Sequence, residues 1–597
     1  MAQSAGRLGW LLVWGVVFCD IGSSVFYVPG VLYGADGEAA GFFVLATMVG
    51  FMLLAAKEVE VARRYPAGGG VVSLAGQAFG PWWGSLGGQL ILVDFFLTVA
   101  ISALAGVHYL DLVLPLGEGL LPLTLLALVA LTLINIVGVK ESARVSLVLA
   151  ITAVVVELLV VVVALAQVPP TFWAEIPEEL AALLRMSPWQ GLVGYAGAWL
   201  AFSGLESFSQ LAPAMKDLDL TPRRAMVAVV ASVLVTAPSL TFLAIASLPL
   251  EIKAAESSRF VAALASVWGG VGLQVVVVLL AMAMLFLAAN TAILGSYHVQ
   301  LALTRQRFLP EALGALSHRY QTPHRAILLA TVVPAVILIA VGADLRALGG
   351  LYAFGLLGAF MLSSAGIDLL RWREGRRDWV FFVGVFTTLL VMVAFGVNLV
   401  AKPEATTFGG ALAGLGMLAS WLTRSGTTDA LLNRLPYTRR PEAAELSEAG
   451  FYTLERAAAR AGDVPGVMVA SRGATRKIFK EAVDRAKARG CTHLFVLYVD
   501  EVPGLFYPQL ASPTPEGQTV LDAGAAIVQN LGLEPIPVWT LSHSAAEAVA
   551  TAAVTCRCDT VVIGATQRTF LWNALRGRFI RDALKHLPAE VRLIVVG

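Results

Sequence analysis

The sequence predicts an all-α polytopic membrane domain of twelve transmembrane helices, followed by a cytosolic α/β domain on a doubly wound parallel sheet. Three observations carry this reading. Of 597 residues, 57% are hydrophobic and 14% charged, and a mean hydropathy of +0.76 is more apolar surface than a water-soluble fold buries. Apolar runs near the roughly twenty-residue length of a bilayer span recur as far as residue 423. Beyond that point short β-branched runs alternate with helix-like stretches, the pattern of βαβ units.

The spans are predicted at 10–33, 39–57, 87–110, 120–138, 144–167, 190–213, 225–248, 271–302, 326–343, 348–370, 378–400 and 407–423. The first run lacks a small-residue cleavage site and reads as a membrane helix, not a removable signal. Connections from even to odd spans carry sixteen Lys and Arg, Lys57, Arg63, Arg223 and Arg371 among them; the opposite connections carry five. The excess puts those loops and both termini in the cytosol, with a multi-pass chain in the cytoplasmic (inner) membrane. Residues 1–423 form the membrane domain, 424–465 a charged linker and 466–597 the tail. Within the tail, strands are predicted at 466–471, 492–500, 535–541, 559–565 and 591–597, with helices at 474–489, 517–531, 543–556 and 571–586.

Several function classes are excluded at this level. A net charge of +1 argues against a nucleic-acid partner. Cys19, Cys491, Cys556 and Cys558 fit neither a disulfide framework nor a zinc site. The membrane part shows no nucleophile–base pairing or metal-ligand spacing, so no enzyme is expected.

What remains is a set of polar breaks in apolar helices. "FCDIGSSVFY" (18–27) puts Asp20, Ser23, Ser24 and Tyr27 inside the first span, and "FSGLESFSQ" (202–210) puts Ser203, Gly204 and Glu206 inside the sixth. An acid is expensive in hydrocarbon, and Gly and Ser weaken a helix that needs its own hydrogen bonds. Glycine-interrupted spans in corresponding positions of two halves point to an inverted-repeat transporter with a midplane cavity. In the third span, Thr98 and Ser102 lie four residues apart on one face, able to face the cavity or to bond back to their own helix. Asp94, one turn earlier, suits a structural pairing as well as a proton role. Asn290, Thr291 and Tyr352 add polar groups in the second half, and Glu157 is a further buried carboxylate in the fifth span.

These motifs resemble the amino acid–polyamine–cation superfamily over residues 8–423, and within it Kup/KimA-type potassium–proton symporters. The likeness rests on Asp20, Ser23, Ser24 and Tyr27; on Asp94, Thr98 and Ser102; on Gly204, Glu206, Pro213 and Lys216; and on Asn290, Thr291 and Tyr352. It implies a LeuT-like fold, a five-plus-five inverted repeat with two extra helices. Phe95 stands where those importers carry tyrosine, and Ser203 where they carry threonine. "YPAGGG" (65–70) and "IGSSVFYVPG" (21–30) also resemble amino acid permeases, so two substrates stay open: potassium, or an amino acid taken up with protons. Oxygen-only ligands favour the cation, with potassium expected at Asp20, Tyr27, Thr98 and Ser102.

The tail resembles a universal stress protein domain, which implies a nucleotide as candidate ligand or a homodimer. Gly564 and Gly577 fit the first and third glycines of its phosphate loop, Gln567 replaces the second, and Arg578 replaces the following hydroxyl residue. Arg568 and Arg578 are candidate phosphate contacts, against the plainer reading of a solvated basic face. No cofactor is required by the transporter reading. A third reading, a nucleotide sensor whose helices no longer transport, would leave the polar breaks without a role.

Overall fold

The computed structural model describes residues 8–66, 68–138, 143–315, 317, 320, 322–426, 450–460, 465–501, 513–542, 544–564 and 579–596. Among them, ten helical stretches are long and apolar enough to cross a bilayer. Val28–Arg64 opens this set, joining the outer part of the first span to the second span, Ala40–Arg64. Pro81–Asp111, Gly117–Val137, Ala143–Gln167, Thr221–Ser247, Phe260–Arg305, His324–Val341, Leu345–Arg373, Trp379–Ala401 and Pro403–Arg424 are the third to fifth and seventh to twelfth spans.

The first and sixth spans lack a long continuous helix because each is broken. The first runs as Trp10–Ser23, a 3-10 turn Ser24–Phe26, then Val28–Asp36. The sixth runs as Pro188–Gly197 and a 3-10 stretch Ala198–Phe202, stops at Ser203–Glu206, and resumes as Ser207–Gln210 and Ala212–Ala214.

Several boundaries differ from the expected ones. The third span starts at Pro81, not 87, because Gly80 turns the chain at φ +112° and proline opens the helix. Gly70–Phe79 is a separate helix before it. The eighth span starts at Phe260 and passes a non-helical Gly270 (φ +77°). The tenth span, expected as one helix over 348–370, starts at Leu345 and is interrupted at Tyr352, as Leu345–Leu351 and Ala353–Arg373.

The third span is the axis of the domain. Its most apolar window is wholly buried, while those of the fourth and twelfth spans are 17% and 22% buried. Leu126, Val129 and Leu133 of the fourth span, and Val148, Ile151, Val155 and Val162 of the fifth, are exposed at helical spacing and make the lipid face. Small residues bring the inner spans close. A Cβ at Gly355 of the tenth span would sit 2.8 Å from the Asp94 backbone nitrogen of the third.

The tail holds five strands: β1 Gly466–Ala470, β2 His493–Glu501, β3 Glu534–Ser542, β4 Cys558–Gly564 and β5 Arg592–Val596. All pair in parallel in the order β3-β2-β1-β4-β5. Helices Arg476–Ala488, Pro515–Asn530, Ala545–Thr555 and Phe579–His586 alternate with them, giving the doubly wound fold. Residues 450–458, inside the stretch read as linker, attach to this domain. Tyr452 N–H donates to the Pro537 carbonyl at 2.7 Å, Trp539 N–H donates to the Tyr452 carbonyl at 3.0 Å, and Ala457 is buried. The contact covers part of the open β3 edge.

Candidate functional site

The two breaks meet. Gly204 holds φ +101°, and a Cβ there would lie 2.9 Å from Asp20 Cγ and 3.0 Å from the Ile21 nitrogen. Only glycine lets the sixth span turn against the first at this distance. Ser24 fixes the junction: its Oγ reaches Ile21 O at 2.7 Å and Ala201 O across the gap at 2.8 Å. Ser23 Oγ donates to Asp20 O at 2.7 Å. Both serines therefore spend their hydroxyl protons on backbone carbonyls, which shapes the breaks.

Around the junction lies a cluster of carboxyl and hydroxyl groups. Asp20 and Glu206 are 4% exposed and Asp94 is fully buried. The Asp94 and Glu206 carboxyls are neighbours in this cluster, with Asp20 and the Tyr352 hydroxyl close to Asp94. Glu206 Oε2 also accepts from the Gly204 N–H at 3.1 Å. The acid beside Glu206 is thus Asp94, and Asp20 stands one neighbour further on.

Tyr352, at the interruption of the tenth span, is the hub. Its hydroxyl bonds Thr98 Oγ1 and Ser203 Oγ. Thr98 also bonds back to Asp94 O at 2.9 Å, so both of its expected roles are realised. Tyr27 is buried within electrostatic reach of Asp20, Asp94 and Glu206. Ser102 is buried one turn beyond Thr98, and its Oγ has no hydrogen-bond partner among the described residues. The charged neighbours bearing on Asp94 and Glu206 are themselves carboxyls.

Other sequence candidates lie elsewhere. Asn290 accepts from Asn135 Nδ2 at 2.7 Å, tying the eighth span to the fourth, and Thr291 bonds back to Leu287 O at 3.0 Å. Glu157 is buried against Thr236 of the seventh span. In the tail, β1 and β4 flank the point where strand order reverses, the place where such sheets bind ligands. Gly564 ends β4 there, whereas Arg568, Gly577 and Arg578 lie outside the described residues.

Sequence reading missed a second polar cluster. Lys57, counted as a loop cation, is buried: its Nζ lies 2.8 Å from Asp368 Oδ2, 2.7 Å from Ser364 Oγ and 2.9 Å from Thr388 Oγ1. Arg371 is likewise buried and pairs with Glu60. The available signal was Asp368 inside an apolar run opposite an excess lysine.

Residues 8–418 match the family model described as amino acid permease. The chain belongs to the amino acid permease family. Residues 466–594 match the universal stress protein family, so this permease carries a C-terminal domain of that kind. An uncharacterized transporter of Mycobacterium tuberculosis is 28% identical over 409 residues, 68% of this chain and 88% of its own. The branched-chain amino acid permease BcaP of Lactococcus lactis is 24% identical over 385 residues, 60% of this chain and 80% of its own. The potassium transporter KimA of Bacillus subtilis is 23% identical over 402 residues, 64% of each chain. A universal stress protein structure from Archaeoglobus fulgidus aligns with 22% of this chain and 98% of its own, at 16% identity and a TM-score of 0.18.

Proposed function

We propose that this permease imports potassium together with protons across the cytoplasmic membrane, with both termini in the cytosol. The observation that carries the reading is the composition of the buried cluster: Asp20, Asp94 and Glu206, with hydroxyls from Tyr27, Thr98, Ser203 and Tyr352. Hard oxygen donors suit a monovalent cation, and acids facing one another repel the carboxylate of an amino acid. Asp20, Tyr27, Thr98 and Ser102 are the proposed cation ligands, and the Asp94–Glu206 pair holds the coupled proton. The relative named as a potassium transporter supports this substrate. Family membership supports a transporter rather than an enzyme.

One observation favours a second reading, uptake of an amino acid with protons. The matching family model is that of amino acid permeases, and a relative is named for branched-chain substrates. For the tail we propose a regulatory role through a nucleotide or through dimerisation, with Gly564, Arg568, Gly577 and Arg578 as the phosphate-facing candidates.

Flux into proteoliposomes of the full-length protein under an imposed pH gradient tests the substrate, with rubidium and an amino acid panel measured side by side. Rubidium uptake is the expected result; uptake of leucine or alanine with none of rubidium refutes it. Asp20→Asn and Glu206→Gln should each lower coupled uptake at least about a hundredfold while the protein still folds, since an intramembrane acid's charge is what the site uses. Wild-type rates in both would remove these residues from the site.

A further inference from the structure

A cavity of about 680 Å³ lies at the arginine-rich end of the membrane domain, between the second, tenth and eleventh spans and the connection from the sixth span to the seventh. Its lining includes none of Asp20, Asp94, Glu206 or Tyr352, so it is separate from the midplane cluster. Along the second span the lining runs from Leu53 to Arg64, roughly 16 Å of helix, and along the eleventh from Val380 to Thr387, roughly 10 Å. The volume is that of a small-molecule site, which spans roughly 300–1,000 Å³.

The walls change character with depth. Six cations line the cavity, Lys57, Arg63, Arg64, Arg223, Arg371 and Arg376, against three anions, Glu60, Asp219 and Glu374. Asp368 neutralises Lys57 from behind the wall at 2.8 Å. Glu60 is shared by Arg64, Arg371 and Arg376, the last at 3.9 Å. The exposed Arg223 side chain has no hydrogen-bond or ion-pair partner among the described residues. The surplus of positive charge therefore sits at the rim, in Arg223 and Arg376. Deeper in, Leu53, Ala56, Val380 and Val383 make an apolar wall. Ala56 continues the lipid-exposed stripe Leu45, Val49 and Met52 at helical spacing, and Val383 borders the exposed Phe382 and Phe386. The cavity thus opens sideways between two lipid faces. Trp372 and Trp379, 49% and 74% exposed, flank Arg376 in sequence and mark the level of the headgroups.

We propose that this cavity seats the phosphate headgroup of an anionic phospholipid, with Arg223 and Arg376 as its rim contacts and an acyl chain laid along Leu53, Ala56 and Val383. A guanidinium offers paired N–H donors that match phosphate oxygens, and basic pockets between membrane helices suit acidic headgroups. A free phosphate would meet the rim and leave the apolar wall uncovered. A lipid of no net charge would cover the wall and leave the surplus cations unbalanced. An acidic lipid answers both. Its headgroup would join the start of the seventh span to the tenth–eleventh connection. Each of these already pairs with the second span, through Arg63–Asp219 and Arg64–Glu374. The site is independent of which solute the midplane cluster carries.

The test follows thermal unfolding of the full-length protein in neutral detergent, titrated with phosphatidylglycerol, phosphatidylcholine or inorganic phosphate. Phosphatidylglycerol should raise the melting temperature to a plateau, while phosphatidylcholine at the same mole fraction and phosphate should not. Arg223→Gln/Arg376→Gln should bind phosphatidylglycerol about thirtyfold more weakly, the factor for removing two basic groups from an acidic headgroup. Arg224→Gln/Arg373→Gln removes the same charge from exposed side chains outside the cavity and should keep the wild-type affinity. Equal responses to the two lipids overturn the proposal. A response to phosphate that matches phosphatidylglycerol also overturns it, because the ligand would then be a soluble anion. Unchanged affinity in Arg223→Gln/Arg376→Gln, or an equal loss in the control pair, removes the lipid from this cavity. Should the double variant fail to fold, Arg223→Gln alone is read in the same way, with about fivefold weaker binding expected and unchanged binding overturning the assignment.

Discussion

Replacing Gly204 by alanine tests whether the two broken spans meet as described. The added Cβ would lie 2.9 Å from Asp20 Cγ, 3.0 Å from the Ile21 nitrogen and 3.1 Å from the Asp20 carbonyl carbon, whereas carbon atoms in ordinary contact lie about 3.5–4.0 Å apart. A rotamer change moves the Asp20 carboxyl aside, but two of the three clashing atoms are backbone, so the first span itself must retreat by about 0.5 Å or more. Two terms add. A non-glycine residue at positive φ costs about 1–2 kcal/mol, and forcing a methyl into a packed junction costs about 1–3 kcal/mol. We expect Gly204→Ala to lose about 2–5 kcal/mol of stability in detergent. Coupled uptake should fall at least about tenfold, because a site loosened by half an ångström no longer holds its ligands in register. Gly191→Ala is the control, since a Cβ there meets nothing within 4 Å. Thermal unfolding followed by tryptophan fluorescence, with uptake on the same preparations, reads both effects. A Gly204→Ala protein that melts and transports like Gly191→Ala would show that the spans do not abut, and the shared site would go with them.

Two further predictions concern regions away from the breaks. Lys57→Met leaves Asp368 with Thr388 Oγ1 at 2.6 Å and Arg371 at 3.8 Å as its remaining partners, so it should cost about 3–5 kcal/mol. The double change Lys57→Met/Asp368→Leu should recover much of that loss in the same melting assay; equal losses would deny the pairing. In the tail, burial pushes the Cys556 thiol up to about 11, and burial raises Cys558 as well. A thiol raised in the folded state contributes stability that is intact below its unfolded value of about 8.5 and is lost as pH climbs toward 11. Full-length protein should therefore resist alkylation at both cysteines near neutral pH, with Cys556 becoming reactive only as pH approaches about 11; prompt alkylation at neutral pH would contradict their burial.

The breaks were legible because they are compositional. Asp20, Ser23 and Ser24, or Ser203, Gly204 and Glu206, stand out in apolar runs whatever the fold does. The tail strands were legible for a similar reason: each buried parallel strand is a short β-branched run, and β1 to β5 begin within a residue or two of expectation. Pairing was not legible. Asp94 is one acid among several in sequence, and its neighbours follow from the packing of separate spans, the tenth span meeting its backbone at Gly355. Lys57 and Arg371 sit at the ends of apolar runs, where a snorkelling loop cation and a buried partner of Asp368 or Glu60 have the same signature. The interruption at Tyr352 follows Gly349 and Gly350, a pair as compatible with tight packing as with a break.

The hydroxyl inventory supplies a last constraint on how the cluster works. Ser23 and Ser24 are committed to backbone carbonyls, Thr98 to Asp94 O and Tyr352, and Ser203 to Tyr352. A cation drawing on Tyr27, Thr98 and Ser102 would find Ser102 already available and Thr98 held by the Tyr352 hydroxyl. Under the proposed function, loading the site therefore exchanges the Thr98–Tyr352 contact for a ligand contact. Because Tyr352 sits where the tenth span is interrupted, that exchange falls at a joint in the backbone rather than in a rigid rod. A neutral hydrogen bond is worth only about 0.5–1.5 kcal/mol net, so replacing the Thr98–Tyr352 bond with an ion–oxygen contact is a small bias that a coupled proton can tip. The arrangement ties the occupancy of the midplane to the geometry of the tenth span.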